Sequence, residues 1–188
     1  MKSITVFCGS SLGSDIEYKH EARLLGQTLA EQNCTVVYGG AKIGLMGALA
    51  DGTLEANGKV IGIIPTFLRK KEVVHEGLTE LIEVETMHER KHQMSELADG
   101  FIALPGGFGT LEELFEILTW AQLYRHQKPI GILNTDGYYN ELLRFIDKMI
   151  DKKFLRPVNL ELMIVCSSVS ELLSKMNDYV PPKLPHWN

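Results

Sequence analysis

Short apolar runs alternate with longer amphipathic runs along almost the whole chain. Several of the short runs are apolar on both faces, which is typical of parallel strands buried between two layers of helices. They cover Ile4–Cys8, Val36–Tyr38, Val60–Ile64, Leu81–Val84, Phe101–Leu104, Ile130–Leu133 and Met163–Cys166. The longer runs have helical spacing and predict helices near Glu17–Gln32, Leu45–Asn57, Met87–Leu97, Leu111–Leu123, Tyr138–Asp151 and Ser170–Met176.

This alternation of strands and helices indicates an α/β protein with a Rossmann-like, doubly wound, mainly parallel sheet that is flanked by helices on both faces. Right-handed crossovers place the carboxyl ends of the strands at one edge of such a sheet, where ligands bind. With 188 residues, we expect a single domain over residues 1–188. The proline-rich segment 179–188 is expected to form an extended tail on the surface.

Composition and charge narrow the class of protein. The chain is 45% hydrophobic and 23% charged, which is ordinary for a globular protein, and its net charge of −5 argues against nucleic-acid binding. Cys8, Cys34 and Cys166 are odd in number and widely spaced, which argues against a disulfide framework and for a reducing compartment. We find neither a signal peptide nor an apolar run of about 20 residues, and we expect a cytoplasmic protein without a membrane contact.

Three glycine-containing loops follow the first, second and fifth predicted strands, at the edge where ligands bind. They cover Cys8–Ser11, Gly39–Gly47 and Pro105–Thr110. The second loop is not a Walker A loop, because Gly44 is followed by Leu45, and its glycine spacing does not match a dinucleotide-binding loop. Either a tight turn or a ligand contact explains it, and its position favours contact. Candidate contacts are therefore Gly9, Ser10, Gly39, Gly40 and Met46.

The segment Pro105–Glu113 combines the end of a strand, a glycine-rich turn and the start of a helix. Free N–H groups in the first turn of such a helix form an anion site. Thr110 is predicted to be the N-cap and to offer its hydroxyl to a phosphate oxygen. Glu112 and Glu113 either compensate the helix dipole or serve chemistry. Adjacent helical positions diverge by about 100°, so that only one of these carboxylates can face the loop.

A second motif, His88-Glu89-x-x-His92, matches the pattern of zinc hydrolases, in which the glutamate acts as general base. Glu112 lies twenty residues beyond His92, a plausible spacing for a third ligand. The zinc hydrolase is therefore an alternative function. A chance match on an exposed helix face is the favoured interpretation, because the buried face is predicted to carry other residues, namely Met87, Met94 and Leu97.

Arg90 and Lys91 lie between the two histidines and argue against a metal, since they would place two cations beside it. They also lie early in a helix, where cations oppose the helix dipole unless an anion compensates them. Arginine offers a planar, two-pronged donor that suits phosphate or carboxylate. The pair therefore indicates an anionic ligand, to which Arg69, Lys70 and Lys71 could add charge, and Met87 beside it is a further candidate contact.

Together these segments resemble the Lonely Guy-type family, the cytokinin riboside 5′-monophosphate phosphoribohydrolases once labelled lysine decarboxylase-like. The pairing of Arg-Lys with Pro-Gly-Gly-x-Gly-Thr-x-x-Glu is the most specific part of the resemblance, which covers about residues 3 to 154. The matching segments are Val6–Ser11, Tyr38–Gly40, Gly44–Gly47, Met87–Lys91, Pro105–Glu113, Thr119–Leu123 and Asp136–Asn140.

The resemblance implies hydrolysis of the N-glycosidic bond of a nucleoside 5′-monophosphate, such as AMP or an N6-substituted AMP, to a free base and ribose 5-phosphate. It implies that Arg90 and Glu113 are the catalytic pair. It also implies a homodimer with the site near the subunit interface, and no metal or organic cofactor. The implied substrate-binding residues are Glu72, Lys91, Gly107, Phe108, Gly109, Thr110, Leu111, Glu112 and Thr119.

The residues leave two points open. Arg90 either orients Glu113 or holds oxygens of the substrate, and a non-catalytic nucleotide carrier of the same fold is an alternative to the enzyme. The chain also departs from the plant-type pattern at Thr86 and at Tyr124-Arg125, which affects the expected choice of base. No lysine stands out as a Schiff-base former, so the sequence does not support a pyridoxal enzyme.

Overall fold

The computed structural model describes residues 1–69 and 74–184. In this part of the chain, seven parallel strands form one sheet. The strands are β1 (Ser3–Phe7), β2 (Thr35–Tyr38), β3 (Val60–Pro65), β4 (Glu80–Val84), β5 (Gly100–Ala103), β6 (Ile130–Leu133) and β7 (Met163–Cys166). All seven lie where the apolar runs predict them, and the predicted fold class is confirmed.

Helices connect the strands. They are α1 (Ile16–Glu31), α2 (Gly44–Glu55), α3 (Thr66–Arg69), α4 (Met87–Glu96), α5 (Phe108–Gln122), α6 (Asn140–Asp151) and α7 (Val169–Asn177). The six long helices match the predicted ones to within three residues at each end, whereas the short α3 and the 3₁₀ turns Thr135–Gly137 and Pro157–Leu162 were not predicted. Among the described residues, none of the helices is long and apolar enough to cross a membrane.

The order of the strands places a ligand site at the centre of the sheet. Across the sheet the order is β4-β3-β2-β1-β5-β6-β7, so that β1 lies between β2 and β5. Chain order reverses at the β1–β5 pair, where Phe7 pairs with Ala103. Doubly wound sheets bind ligands in the crevice outside the strand ends at such a switch point. The loops after β1 and β5 therefore border the expected site.

The core consists of two apolar layers, one on each face of the sheet. Side chains of α1, α2 and α7 cover one face, with Leu25 and Leu49 almost fully buried. Side chains of α4 and α5 cover the other face, where Met94 and Leu114 are buried. Burial of a side chain of this size contributes about 1.5–3 kcal/mol. The second layer thus holds α4 and α5, which carry Arg90 and Glu113, against the sheet.

The C-terminal segment has no helix or strand over residues 179–184, as an extended tail predicts. It is nevertheless attached to the body of the protein. Leu184 is buried in the apolar layer beside α5, and the hydroxyl of Tyr124 donates a hydrogen bond to the carbonyl of Leu184. The expected surface tail thus contributes to the core at Leu184, and residues 185–188 lie outside the described part of the chain.

Candidate active site

A cavity of about 260 Å³ opens between the loops that follow β1, β2 and β5. It brings together residues from all three glycine-containing loops and from the motifs on α4 and α5. The predicted residues that line it are Gly9, Ser10, Gly39, Met46, Arg90, Gly107, Phe108, Gly109, Thr110 and Glu113. The structure therefore gathers most of the candidate residues, distant in sequence, at the switch point of the sheet.

The start of α4 determines where Arg90 lies. The side chain of Thr86 is the N-cap and accepts a hydrogen bond from the N–H of Glu89 at 3.1 Å. The carboxylate of Glu89 in turn accepts a bond from the N–H of Glu85 at 2.9 Å. This reciprocal pair resembles a capping box, which fixes the first turn of a helix. Thr86, at which the chain departs from the plant-type pattern, therefore caps the helix. Glu89, which would be the general base of a zinc hydrolase, also stabilises the start of this helix.

The guanidinium of Arg90 enters the cavity with room for a ligand. Arg90 is 8% exposed, and its Nε has no hydrogen-bond partner among the described residues. A Cβ at Gly39 would lie 2.1 Å from the Arg90 Nη2 and 2.4 Å from the Met46 Cε, so that a larger residue at this position would force these two side-chain ends to shift. A buried donor without a partner costs about 1–3 kcal/mol, which a ligand oxygen would offset.

Glu113 lies opposite Arg90 and is equally buried, at 9% exposure. Its Oε1 is 3.9 Å from the Arg90 Nη2, which is too long for a hydrogen bond. Burial raises the pKa of the Glu113 carboxyl from 4.5 to about 7, although the nearby Arg90 lowers it and Glu112 raises it slightly. At neutral pH the carboxyl is therefore poised between its two protonation states, as suits an acid–base group.

Lys91 forms an ion-pair cluster with α5 beside the cavity. Its Nζ lies 2.5 Å from the Glu112 Oε1 and 3.0 Å from the Glu116 Oε1. Burial opposes the charge on Lys91, but the hydrogen bonds that its ammonium donates to both carboxylates raise its pKa. The carboxylates of Glu112 and Glu113 thus point in different directions, and the prediction that only one of them faces the loop is confirmed. Lys91 and Glu112 join α4 to α5 at the rim.

The N-terminus of α5 differs from the prediction in its cap. The N-cap is Gly107, not Thr110, and it supplies no side-chain hydrogen bond. The helix begins three residues before the predicted start because Phe108 and Gly109 already have helical geometry. Thr110 is buried inside the first turn and lines the cavity. Without a side-chain cap, the first-turn N–H groups of Phe108 and Gly109 remain available to an anion.

The histidines of the His-Glu-x-x-His motif lie on the exposed face of α4, as predicted. Within residues 1–69 and 74–184, the one group of three or more side chains close enough together to hold a metal is Glu17, His20 and Glu21 on α1, and neither His88 nor His92 belongs to it. The predicted buried face is correct for Met94 and wrong for Leu97, which is exposed at the end of the helix.

Some predicted contacts do not line the cavity. Thr119 lies further along α5 and faces a separate apolar cavity with Phe115 and Leu118, while its hydroxyl donates to the Phe115 carbonyl at 2.7 Å. Leu111 packs against the core. Neither Gly40 nor Met87 lines the cavity, although the sulfur of Met87 contacts Arg90. The predicted contact Glu72 lies outside the described residues, as do Lys70 and Lys71.

The cavity also contains residues that the motifs did not single out. Cys8 lines it at the end of β1, next to Arg90 and Glu113. Burial, reinforced by Glu113, raises the pKa of the Cys8 thiol, which is therefore neutral at physiological pH. Met94, Phe7 and Val6 complete the floor. The position of Cys8 at the end of a strand beside the switch point was the signal that could have found it.

The chain is similar to known proteins over almost its whole length. A family model described as "Possible lysine decarboxylase" matches residues 46–176. Cytokinin riboside 5′-monophosphate phosphoribohydrolase LOG1 of Arabidopsis thaliana is 48% identical over 180 residues, which cover 96% of this chain and 84% of that protein. Probable cytokinin riboside 5′-monophosphate phosphoribohydrolase LOGL5 of Oryza sativa subsp. japonica is 45% identical over 185 residues, 98% of this chain and 74% of that protein.

Solved structures share the fold at lower identity. The Moco carrier protein of Chlamydomonas reinhardtii is 19% identical with a TM-score of 0.71, and the match covers 94% of this chain and 96% of that one. The molybdenum cofactor binding protein of Rippkaea orientalis is 22% identical with a TM-score of 0.72, covering 95% and 97%. At these identities the likeness concerns the fold alone.

Proposed function

Because the chain belongs to the LOG family of cytokinin riboside 5′-monophosphate phosphoribohydrolases, we propose that it hydrolyses the N-glycosidic bond of AMP or an N6-substituted AMP. The products are the free base and ribose 5-phosphate. One observation carries the proposal: a buried arginine with an unpartnered Nε faces a buried carboxylate of raised pKa, beside an uncapped helix N-terminus.

The 5′-phosphate binds at the N-terminus of α5 in this proposal. The N–H groups of the first turn and the Thr110 hydroxyl donate to its oxygens, and each such charge-assisted bond contributes about 1.5–3 kcal/mol. The helix dipole adds only about 0.3–1 kcal/mol. The cavity next to Gly107 and Gly109 is open, since a Cβ at either position would meet nothing within 4 Å. A phosphate oxygen can therefore approach this backbone closely.

Anchoring the phosphate places the ribose between Arg90 and Glu113. Breaking the bond from C1′ to the base nitrogen builds oxocarbenium character on the ribose, as in sugar hydrolysis. The Glu113 carboxylate stabilises this cation and takes a proton from the attacking water. The water oxygen bonds to C1′, the electron pair of the broken bond passes to the base, and the base gains a proton.

Arg90 acts on the substrate rather than on Glu113 in this proposal. The distance of 3.9 Å between Nη2 and the Glu113 carboxylate exceeds a hydrogen bond, and Nε has no partner among the described residues. Oxygens of the ribose or ring nitrogens of the base are the acceptors that would satisfy these donors. None of these steps requires a metal or an organic cofactor.

A product assay tests the proposal. We expect adenine and ribose 5-phosphate to appear when the protein is incubated with AMP or N6-isopentenyl-AMP, with less release from GMP, CMP and UMP. Glu113→Gln and Arg90→Ala should each abolish turnover while the far-UV circular dichroism stays unchanged. Glu141→Gln, an exposed carboxylate on α6, is the matched control.

Two outcomes would contradict this. Saturable AMP binding without release of a base would indicate a nucleotide carrier, and near-normal turnover in either variant would refute the assigned roles. The substrate preference is left to the assay, because Thr86 serves as a helix cap and Tyr124 holds the C-terminal segment, and neither lines the cavity.

We also infer a homodimer with the site near the subunit interface. Phe108 is consistent with this, because it is 94% exposed beside the proposed phosphate site, where a partner subunit would cover it. Thr119 supports it too, since it lies outside the cavity of its own chain. Light scattering after size exclusion should give twice the 21.1 kDa of one chain, and a monomer at micromolar concentration would refute the inference.

We infer a reducing, cytoplasmic compartment from the cysteines. Cys8, Cys34 and Cys166 are all free thiols in the structure, and the last two are buried. Burial raises the pKa of the Cys34 thiol to about 11, so that this group stays protonated and unreactive. Cell fractionation with an antibody against the chain tests the compartment directly.

A further inference from the structure

Two consecutive tyrosines in the turn between β6 and α6 reach back to the loop after β5. The hydroxyl of Tyr138 donates to the Gly106 carbonyl at 2.6 Å, and the hydroxyl of Tyr139 donates to the Leu104 carbonyl at 2.6 Å. Between them, the Pro105 carbonyl accepts a bond from the N–H of Gly9 at 3.0 Å. Three successive carbonyls that lead into α5 are thus held from outside their own loop.

The bond from Tyr138 determines the direction of a donor at the phosphate site. In a planar trans peptide the C=O and N–H groups point in opposite directions. Fixing the Gly106 carbonyl towards Tyr138 therefore directs the N–H of Gly107 away from it. Gly107 lines the cavity that contains Arg90, whereas Tyr138 does not. We infer that the hydroxyl of Tyr138 is a positioning group for the phosphate site, an inference that rests on the proposed function.

Packing holds this peptide on the Gly106 side only. A Cβ at Gly106 would lie 2.1 Å from the Thr110 Oγ1, whereas a Cβ at Gly107 would meet no atom within 4 Å, so that the Gly107 side of the peptide has open space around it. A peptide between two glycines also lacks the steric restraints that side chains impose on rotation of the backbone. The hydrogen bond from Tyr138 supplies the restraint that side chains would supply elsewhere.

Tyr139 differs from Tyr138 although its bond has the same length. The Leu104 carbonyl precedes Pro105, which has no N–H, so that the bond from Tyr139 directs no donor. Tyr139 is also almost fully buried. Its hydroxyl satisfies a buried carbonyl at the end of β5 and therefore contributes to stability, not to phosphate binding.

The ring of Tyr138 is held independently of its hydroxyl. It packs edge-on against the rings of Tyr18 at 5.8 Å and Tyr139 at 5.0 Å. The turn itself is fixed by Asn134, whose Oδ1 accepts from the N–H of Tyr139 at 2.7 Å. Tyr138→Phe therefore removes the hydroxyl and leaves the packing, and Tyr18→Phe is the matched control, because the Tyr18 hydroxyl is not a donor to this loop among the described residues.

Binding measured by calorimetry tests the inference without turnover. AMP is titrated into Glu113→Gln, which does not hydrolyse the nucleotide in this proposal, and into double variants that combine Glu113→Gln with each tyrosine change. Inorganic phosphate is titrated into the native protein and into the single tyrosine variants, which keep Glu113. With Tyr138→Phe we expect the Kd of AMP and of phosphate to rise about 3- to 10-fold, as loss of one well-directed donor predicts. Tyr18→Phe should leave both Kd values within about twofold of those of its parent protein, as expected for a change that does not touch the site.

Tyr139→Phe separates positioning from stability. It should lower the melting temperature by about 2–4 °C, the effect of one lost hydrogen bond in a chain of this size, and leave the Kd of AMP within about twofold. A Kd for Tyr138→Phe within twofold of its parent, or an equal rise for Tyr139→Phe, would overturn the inference. If the native chain hydrolyses no nucleotide, the proposed function fails, whereas the phosphate titration still decides the position of Tyr138. Absence of phosphate binding refutes both.

Discussion

Replacing Glu113 with glutamine should make the protein more stable at alkaline pH and should leave its stability almost unchanged near pH 5. Burial raises the pKa of the Glu113 carboxyl from 4.5 to about 7 in the folded protein. The unfolded chain releases this proton near 4.5, while the folded chain keeps it until about pH 7. Between these values the unfolded state binds fewer protons, and the free energy of unfolding therefore falls as the pH rises.

The size of the effect follows from the pKa. A shift of one pKa unit corresponds to about 1.4 kcal/mol, so that the full rise in the pKa of Glu113 corresponds to about 3 kcal/mol of unfolding free energy. About 2–3 kcal/mol of this stability is lost between pH 5 and pH 8.5. Glutamine has the shape of the protonated carboxyl and cannot ionise, which removes this loss. A difference of that size corresponds to roughly 4–12 °C in melting temperature for a chain of this length.

Urea unfolding of native protein and Glu113→Gln, each at pH 5 and pH 8.5, provides the measurement. Comparing the two proteins at each pH cancels the titration of all other groups. Glu141→Gln, which removes an exposed carboxylate from α6, should show the same difference from native protein at both pH values. If the stability gained by Glu113→Gln is equal at both pH values to within about 0.5 kcal/mol, Glu113 is not the buried, destabilised carboxyl that the structure describes.

Further predictions concern the same site. The kcat/KM for AMP should fall about tenfold per pH unit below about pH 6, because protonation of Glu113 removes the base, and a flat profile to pH 5 would contradict this role. Gly39→Ala should stay folded and lose at least about tenfold in kcat, because its Cβ displaces the guanidinium of Arg90; native kinetics would refute that contact. Lys91→Met should lower the free energy of unfolding by about 1–2 kcal/mol in urea, since it leaves two carboxylates unpaired, and an unchanged midpoint would argue against a join between α4 and α5. His92→Ala should keep native activity, and metal analysis of the native protein should find no stoichiometric zinc. Stoichiometric zinc in the native protein, together with its loss and a loss of activity in His92→Ala, would restore the metal hypothesis.

The fold could be predicted from the sequence because its central strands are buried on both faces. Runs such as Ile130–Leu133 are continuous apolar segments bounded by polar residues, and the structure places that strand at those bounds. The helix starts were less predictable. The start of α5 at Phe108 was missed because its N-cap is Gly107, which has no polar side chain to mark the boundary. Thr110 has the typical chemistry of a cap but lies inside the first turn.

The site could be predicted in part. The family resemblance, more than the motifs themselves, pointed to Arg90 and to Glu113 as a pair, and parallel topology explains why residues so distant in sequence meet. What the sequence could not show was the direction of each side chain. Glu112 and Glu113 are identical in type, yet one binds Lys91 at the rim and the other enters the cavity. The capping of α4 by Thr86 and Glu89 could likewise not be predicted, because it depends on backbone geometry and Glu89 matched the general base of a zinc motif.

The contact between Gly39 and Arg90 joins the loop after β2 to helix α4. The guanidinium lies in the space that a side chain at position 39 would fill, and a Cβ there would also lie 2.4 Å from the Met46 Cε. Both of these atoms are ends of flexible side chains, so that alanine at this position would move the arginine and the methionine rather than the backbone. The size of the residue at position 39 therefore sets how far the arginine reaches into the cavity, which gives a protein engineer a way to shorten that reach without replacing Arg90 itself.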